Sequence, residues 1–213
     1  MTYQSFLSKT SKYLSFTLLT SALSFGAIIY DSGVNALKVT DPTQLGRLSR
    51  SGTPSDWSEQ KAFPGVLNPT VSYHYETFVI PSSPFPYLQI SFTDLTSSGN
   101  LFESAYLNAY TPNSTAANRG LDVNYWGDAG FSSAFPPNPD VFQVVLPASS
   151  SLVLVVNDTS ATGAGIGRSF NFLVEGFYDT QFNDTIPEPA TITLSGAGLA
   201  LAAITTYRRK RKQ

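Results

Sequence analysis

The sequence predicts an all-β fold, an antiparallel β-sandwich of jelly-roll-like type, flanked by an N-terminal signal peptide and a C-terminal transmembrane helix. Short runs rich in β-branched and aromatic residues recur along the middle of the chain, separated by Gly, Pro, Ser and Asn clusters. No window between Leu37 and Ile186 has the apolar periodicity of an amphipathic helix. Each end of the chain joins an uncharged, mostly apolar stretch to basic residues, as targeting segments do.

The N-terminal segment has the parts of an export signal. Lys9 and Lys12 precede the uncharged stretch Tyr13–Tyr30, which matches a basic n-region followed by an apolar h-region. The small residues of Val34-Asn35-Ala36 predict cleavage after Ala36, so that residues 1–36 form the signal peptide. The h-region is long for a signal peptide, and an uncleaved transmembrane helix is the alternative.

The folded middle divides into a lead and a sandwich. Residues 37–72 form a turn-rich lead, partly packed on the sandwich, because Pro and Gly interrupt them too often for a long helix. The sandwich spans residues 73–178, and its predicted strands are Tyr73–Ile80, Tyr87–Phe92, Leu101–Tyr110, Val141–Leu146, Leu152–Asn157 and Ser169–Phe177. The last of these alternates apolar and polar residues, as a half-buried strand does. The run LVLVVN is apolar on both faces, which predicts a central strand.

The long segment between Tyr110 and Val141 carries the candidate ligand sites. Asp122, Asn124 and Asp128 supply closely spaced oxygens around Gly127, the ligand type that calcium prefers. Their spacing does not fit an EF-hand loop, and the alternative is that Asp128 caps a turn.

Two aromatic residues of the same segment are candidates for ligand stacking. The rings of Tyr125 and Trp126 could stack on sugars, which present apolar C–H patches. The alternative is that both rings fill the core.

The sequence assigns no catalytic residue and predicts a protein that is not an enzyme. With no Cys and a single His, it excludes Cys-based zinc sites and leaves one imidazole for any Ser-His pair. That imidazole, His74, shares a strand face with Glu76, an arrangement more typical of a solvated sheet surface than of acid–base chemistry.

The charge of the middle segment argues against nucleic acid as a partner. Leu37–Ile186 contains six basic and 13 acidic residues, a net charge of −7. A domain of that sign repels phosphate backbones.

The C-terminal segment follows a linker, residues 179–186. Residues 187–213 comprise Pro187-Glu188-Pro189, an uncharged span of about 18 residues from Ala190 to Tyr207, and a basic tail. The tail consists of Arg208, Arg209, Lys210, Arg211 and Lys212. The positive-inside rule keeps this tail cytoplasmic and puts the acidic middle outside the membrane.

These three parts, in this order, resemble the PEP-CTERM sorting signal of exported bacterial proteins. The resemblance implies that an exosortase-like enzyme recognises Pro187-Glu188-Pro189 and processes the chain there.

The middle of the chain resembles the pre-peptidase C-terminal-like β-sandwich domains of secreted bacterial proteins. The residues that carry this resemblance are YHYETFVI, NLFESAYLNAYTP, NYWGDAG, VFQVVLPASSSLVLVVND and SFNFLVEGF. The resemblance implies an accessory module without catalytic residues, with calcium as a candidate cofactor.

Together these observations predict an exported cell-surface or extracellular-matrix protein with a structural, adhesive or polysaccharide-associated role. Its expected partners are the exosortase-like enzyme, the membrane before processing, and extracellular polysaccharide. The alternative is an accessory binding module for a secreted protease or glycosidase, or a weak version of one.

Overall fold

The computed structural model describes residues 26–97, 99–133 and 139–180, which form ten strands and one short 3₁₀ helix, Ala117–Gly120. The strands are β1 (Ala27–Asp31), β2 (Asn35–Ala36), β3 (Thr43–Leu48), β4 (Val66–Ile80), β5 (Tyr87–Asp94), β6 (Leu101–Leu107), β7 (Tyr125–Asp128), β8 (Asp140–Val145), β9 (Leu152–Asp158) and β10 (Ser169–Phe177).

The strands form two antiparallel sheets, which confirms the predicted all-β antiparallel class. The first sheet has the order β1-β10-β5-β8, with β2 also paired to β10, and the second has the order β3-β4-β9-β6-β7. Apolar side chains of both sheets meet in one buried cluster, an arrangement consistent with a β-sandwich.

The core follows the alternation of the strands. In β10, Phe170, Phe172 and Val174 are at most 1 % exposed, whereas the residues between them are only partly buried. The strands β5 and β8 alternate in the same way. The period of two in the sequence therefore identifies the core-facing side of each of these strands.

The central strand of the second sheet is β9, as the run LVLVVN predicts. It lies between β4 and β6, and all of its residues are buried. One face of β9 contributes to the core between the sheets. The other face, with Val153 and Val155, packs in a second cluster with Leu121 and Tyr125, beneath the lead and the long loop. The sequence of β9 is apolar on both faces because each face is buried in one of these two clusters.

The lead contains more regular structure than the sequence predicts. It holds β3 and the beginning of β4, which pair with each other. It also links the two sheets at Ser55, whose backbone N donates to Asp128 O (3.0 Å) and whose O accepts from Gln143 N (2.9 Å). Next to Ser55, the backbone of Thr53 packs closely against Gly130. A Cβ on Gly130, whose φ is +81°, would lie 2.4 Å from the carbonyl carbon of Thr53.

The sheet also begins earlier in the chain than predicted. Both β1 and β2 lie within the predicted signal peptide, yet both pair with β10. Ala36, the predicted cleavage position, lies opposite Ser169 in this pairing. The folded unit therefore includes residues from Ala27 onward.

The predicted C-terminal sorting signal, with Pro187-Glu188-Pro189, the apolar span and the basic tail, lies outside the described residues, as does most of the linker. Within the part of the chain that is described, no helix is long and apolar enough to cross a membrane.

Candidate functional site

Asp128, the central residue of the predicted calcium loop, is engaged by other protein groups. Its side chain is fully buried on β7, and its Oδ1 lies 2.5 Å from Nζ of Lys61. The backbone N of Gly130 donates to the same oxygen (2.6 Å), and the Tyr125 hydroxyl donates to Oδ2. Asp128 therefore anchors the lead to β7 through an ion pair.

The other two predicted calcium ligands have separate partners. Asp122 is exposed and accepts a hydrogen bond from Asn118 Nδ2 (3.0 Å), while Asn124 donates from Nδ2 to Ala109 O (3.2 Å). Among the described residues, no three His, Cys, Asp or Glu side chains are arranged to hold a metal ion. The geometry of this loop thus favours the alternative of a capped turn, and calcium binding stays a prediction.

The two aromatic residues predicted to stack on sugars make contacts within the protein. Tyr125 is 5 % exposed, and its ring packs edge-on against Phe63 with centroids 5.5 Å apart. This burial removes the Tyr125 ring from ligand contact. Trp126 is partly buried and donates from Nε1 to Val145 O (2.6 Å), so it ties β7 of the second sheet to β8 of the first.

The pair of His74 and Glu76 belongs to the core-facing side of β4. His74 Nδ1 lies 3.0 Å from Asp41 O, and both side chains are partly buried in the row that continues to Phe78 and Ile80. Burial raises the pKa of Glu76, and the charge of Asp41 adds to this effect. The imidazole contacts a backbone carbonyl, which fits a structural role.

Three buried acidic residues at one end of the core were not predicted from the sequence, and we call them the buried acidic cluster. It consists of Asp94, Glu103 and Asp140, which are 1 %, 1 % and 3 % exposed. Each continues the core-facing row of its strand, on β5, β6 and β8 respectively. The signal in the sequence is an acid in phase with an apolar row, as in Asp140-x-Phe142-x-Val144.

The three residues of the buried acidic cluster differ in their hydrogen bonding. Asp94 accepts from Thr96 Oγ1 (2.7 Å) and Ser133 Oγ (2.7 Å), among other donors. Both carboxyl oxygens of Glu103 and Oδ1 of Asp140 are buried without a hydrogen-bond partner. An ionised carboxylate in such surroundings is costly, so protonation is favoured.

The pKa values of Glu103 and Asp140 follow from this burial. Burial raises the pKa of Glu103 well above its usual range, and the neighbouring charge of Asp140 raises it further. Burial raises the pKa of Asp140 to about 7, with a contribution from Asp94. A raised pKa suits a general acid, but a polymer substrate has no access to side chains buried to this degree.

The stability of the protein is expected to fall as the pH rises from about 4 to 7. Because the folded-state pKa of Asp140 lies above its ordinary value, the folded protein holds a proton that the unfolded chain has lost. This stabilisation is complete below the unfolded-state pKa and is lost as the pH rises through about 7. From Asp140 alone, the free energy of unfolding measured with urea at pH 5 is expected to exceed that at pH 8 by about 2 kcal/mol, and Glu103 adds to this difference with the same sign.

Two amide variants check this origin of the pH dependence. Asp140→Asn is expected to reduce the pH dependence without abolishing it, because the raised pKa of Glu103 acts in the same direction, whereas Asp122→Asn, at an exposed position, leaves it unchanged. Equal stability of the unmodified protein at pH 5 and pH 8 would contradict the assignment.

A shallow surface recess of about 270 Å³ lies on the second sheet. It is lined by Thr43, Gln44, Leu45, Ser72, Pro112 and Ser114. Its available polar side chains are the hydroxyls of Thr43, Ser72 and Ser114, which donate and accept hydrogen bonds without charge, whereas the Gln44 amide is buried and bonded to Gly46 and Tyr110. Such a lining can hold a polyhydroxylated ligand but supplies no general acid or base.

Comparison with known proteins assigns neither a family nor a fold relative. No protein-family model matches the chain. No curated protein and no solved structure matches it significantly.

Proposed function

We propose that this chain is an exported, non-enzymatic β-sandwich protein of the cell surface or extracellular matrix. Its sandwich, which we propose to be jelly-roll-like and of the pre-peptidase C-terminal-like type, is the cargo of a PEP-CTERM sorting route. In this proposal the span Ala190–Tyr207 anchors the chain until an exosortase-like enzyme processes it at Pro187-Glu188-Pro189. The delivered domain then has a structural, adhesive or polysaccharide-associated role.

The observation that carries this proposal is the order of features at the C-terminus. A Pro-Glu-Pro triplet, an uncharged span and five consecutive basic residues follow one another, and the N-terminal segment has the sequence features predicted for an export signal. The short span, rich in Ser, Thr and Gly, suits a temporary anchor better than a permanent one.

The folded domain supports a binding or structural role more than a hydrolytic one. Glu103 and Asp140, whose pKa values are raised, are buried between the sheets. Glycoside hydrolysis needs two carboxyls that flank an accessible bond. The recess around Thr43 and Ser72 instead offers neutral hydrogen-bonding groups to a ligand.

Replacement of the sorting triplet tests the route. In a bacterium that contains an exosortase, the unmodified chain is expected at the cell surface or in the medium. A chain with Pro187→Ala, Glu188→Ala and Pro189→Ala is expected to stay in the membrane with its basic tail intact, because the processing enzyme no longer recognises it. Immunoblots of the cell fractions, with mass spectrometry of the C-terminus, measure both outcomes.

A matched substitution in the linker controls for indirect effects on export. Asp184→Ala lies close to the triplet but outside it, and it is expected to behave as the unmodified chain does. Identical distribution and processing of the triplet variant and the unmodified chain would contradict the proposed route.

A further inference from the structure

The first strand of the structure is an integral edge of the first sheet. The register of β1 on β10 runs from Ala27 opposite Gly176 to Asp31 opposite Leu173. Just beyond β1, Ser32 N donates to Phe172 O (3.1 Å) and Phe172 N donates to Ser32 Oγ (2.8 Å). These contacts cover the outer edge of β10, which would otherwise expose unpaired backbone groups.

Side chains of the same segment are part of the core. The ring of Tyr30 stacks on that of Phe172, with centroids 5.7 Å apart and an angle of 14° between the planes. Leu37, directly after β2, is 0 % exposed, and its O accepts from Gly167 N (2.7 Å). Cleavage between Ala36 and Leu37 would therefore remove the edge strand and leave Phe172 without its stacking partner.

The packed region reaches at least as far back as Gly26. A Cβ added to Gly26 would lie 2.2 Å from the ring of Phe177, so the backbone of Gly26 packs directly against that ring. Signal peptidases act on unfolded chains, and the burial of a bond does not itself prevent cleavage. The structure indicates instead which product folds with its sheet complete, namely one that begins upstream of Gly26.

The sequence offers a suitable processing site in that region. Thr20-Ser21-Ala22 places small residues at the two positions that signal peptidases require to be small. An h-region that begins at Tyr13 and ends before this site falls within the usual length of about 7–15 residues. The uncharged stretch continues to Tyr30 because the apolar residues of β1 follow closely after this shorter h-region.

We propose that signal peptidase hydrolyses the Ala22–Leu23 bond, so that the exported protein begins at Leu23 and keeps β1 and β2 as part of its first sheet. Water is the co-reactant, and its addition leaves a carboxylate on Ala22 and an amino group on Leu23. The inference rests on the proposed export of the chain and adds the position of the mature N-terminus.

Mass spectrometry of the full chain, recovered from an exporting bacterial host, tests the site directly. The expected N-terminal residue is Leu23. Ala22→Leu puts a large residue where a small one is required and is expected to lower the fraction of chains that begin at Leu23 at least about tenfold. The matched variant Ala36→Leu is expected to leave that fraction unchanged.

A second measurement reports on the strand itself. Hydrogen exchange of the exported protein is expected to show a protected amide at Phe172, since this amide donates to Ser32. A mature chain that begins at Leu37 lacks this partner, and its Phe172 amide would exchange rapidly.

The outcomes separate this inference from the export proposal. An exported protein that begins at Leu37 or Ala27 overturns the Ala22–Leu23 site while export stands. A chain that begins at Met1 and stays in the cytoplasm overturns both. An exported protein that begins at Leu23, with a protected Phe172 amide, supports the inference.

Discussion

Replacing Phe172 by Ala is expected to lower the free energy of unfolding by about 3–5 kcal/mol. Phe172 is 1 % exposed in the core between the sheets. Its ring lies edge-on to Phe78 with centroids 4.9 Å apart and stacks on Tyr30. The substitution removes a large apolar surface and leaves a cavity that surrounding strands cannot close.

Urea unfolding of the exported protein measures this change, and an exposed apolar residue is the matched control. Val79→Ala lies on β4, where Val79 is 61 % exposed, and it is expected to change the stability by no more than about 0.5 kcal/mol. If Phe172→Ala and Val79→Ala shift the unfolding midpoint equally, the assigned core is wrong.

Replacing Lys61 by Met is expected to cost about 3 kcal/mol. The Asp128 side chain is fully buried, and its ion-pair partner is the ammonium of Lys61, whose side chain is 13 % exposed. Without Lys61, Asp128 remains buried with its charge balanced only by the hydrogen bonds from Gly130 and Tyr125. The lead is also expected to loosen, since Lys61 joins it to β7.

A double-mutant cycle separates the ion pair from the packing of the Lys61 side chain. Asp128→Asn combined with Lys61→Met is expected to cost less than the sum of the single changes, because no unpaired charge stays buried. Additive losses, or a loss below about 0.5 kcal/mol for Lys61→Met, would contradict the role of the pair. Lys38→Met, at an exposed position of the same lead, serves as the control.

Local alternation was sufficient to predict four strands of the sandwich closely. The predicted bounds of Ser169–Phe177 agree with those of β10. The predicted bounds at β5 and β9 differ from the observed ones by two residues and one residue at the C-terminal end, and those at β8 differ by one residue at each end. These segments bury one face or both, so their apolar pattern follows directly from the pleat of a strand.

The strands that were missed lack such a pattern or share it with another structure. The sequence of β1, Ala27–Asp31, continues an apolar run that reads equally well as the end of an h-region. In β3, Gly46 has a φ of +75° within a polar sequence, at a place where the pairing with β4 changes register. Only the partner strands β10 and β4 explain why these residues are extended.

The candidate site shows the same division. The sequence identified Asp128 as a residue with a role in the loop, but its partner Lys61 is far away along the chain, in the lead. Glu103 and Asp140 appear in the sequence as single acids in separate strands. Their common burial becomes visible once the two sheets are packed together.

The sequence by itself therefore determined the all-β antiparallel class, the central place of β9 and the order of the parts in the C-terminal segment. These features depend on residues close together in the chain, which periodicity and composition record. The tertiary structure alone decided that β1 belongs to the sheet, that Tyr125 is a core residue and that three acids share one buried end. Each of these depends on strand pairing or sheet packing between distant residues, and no local pattern specifies such a partner.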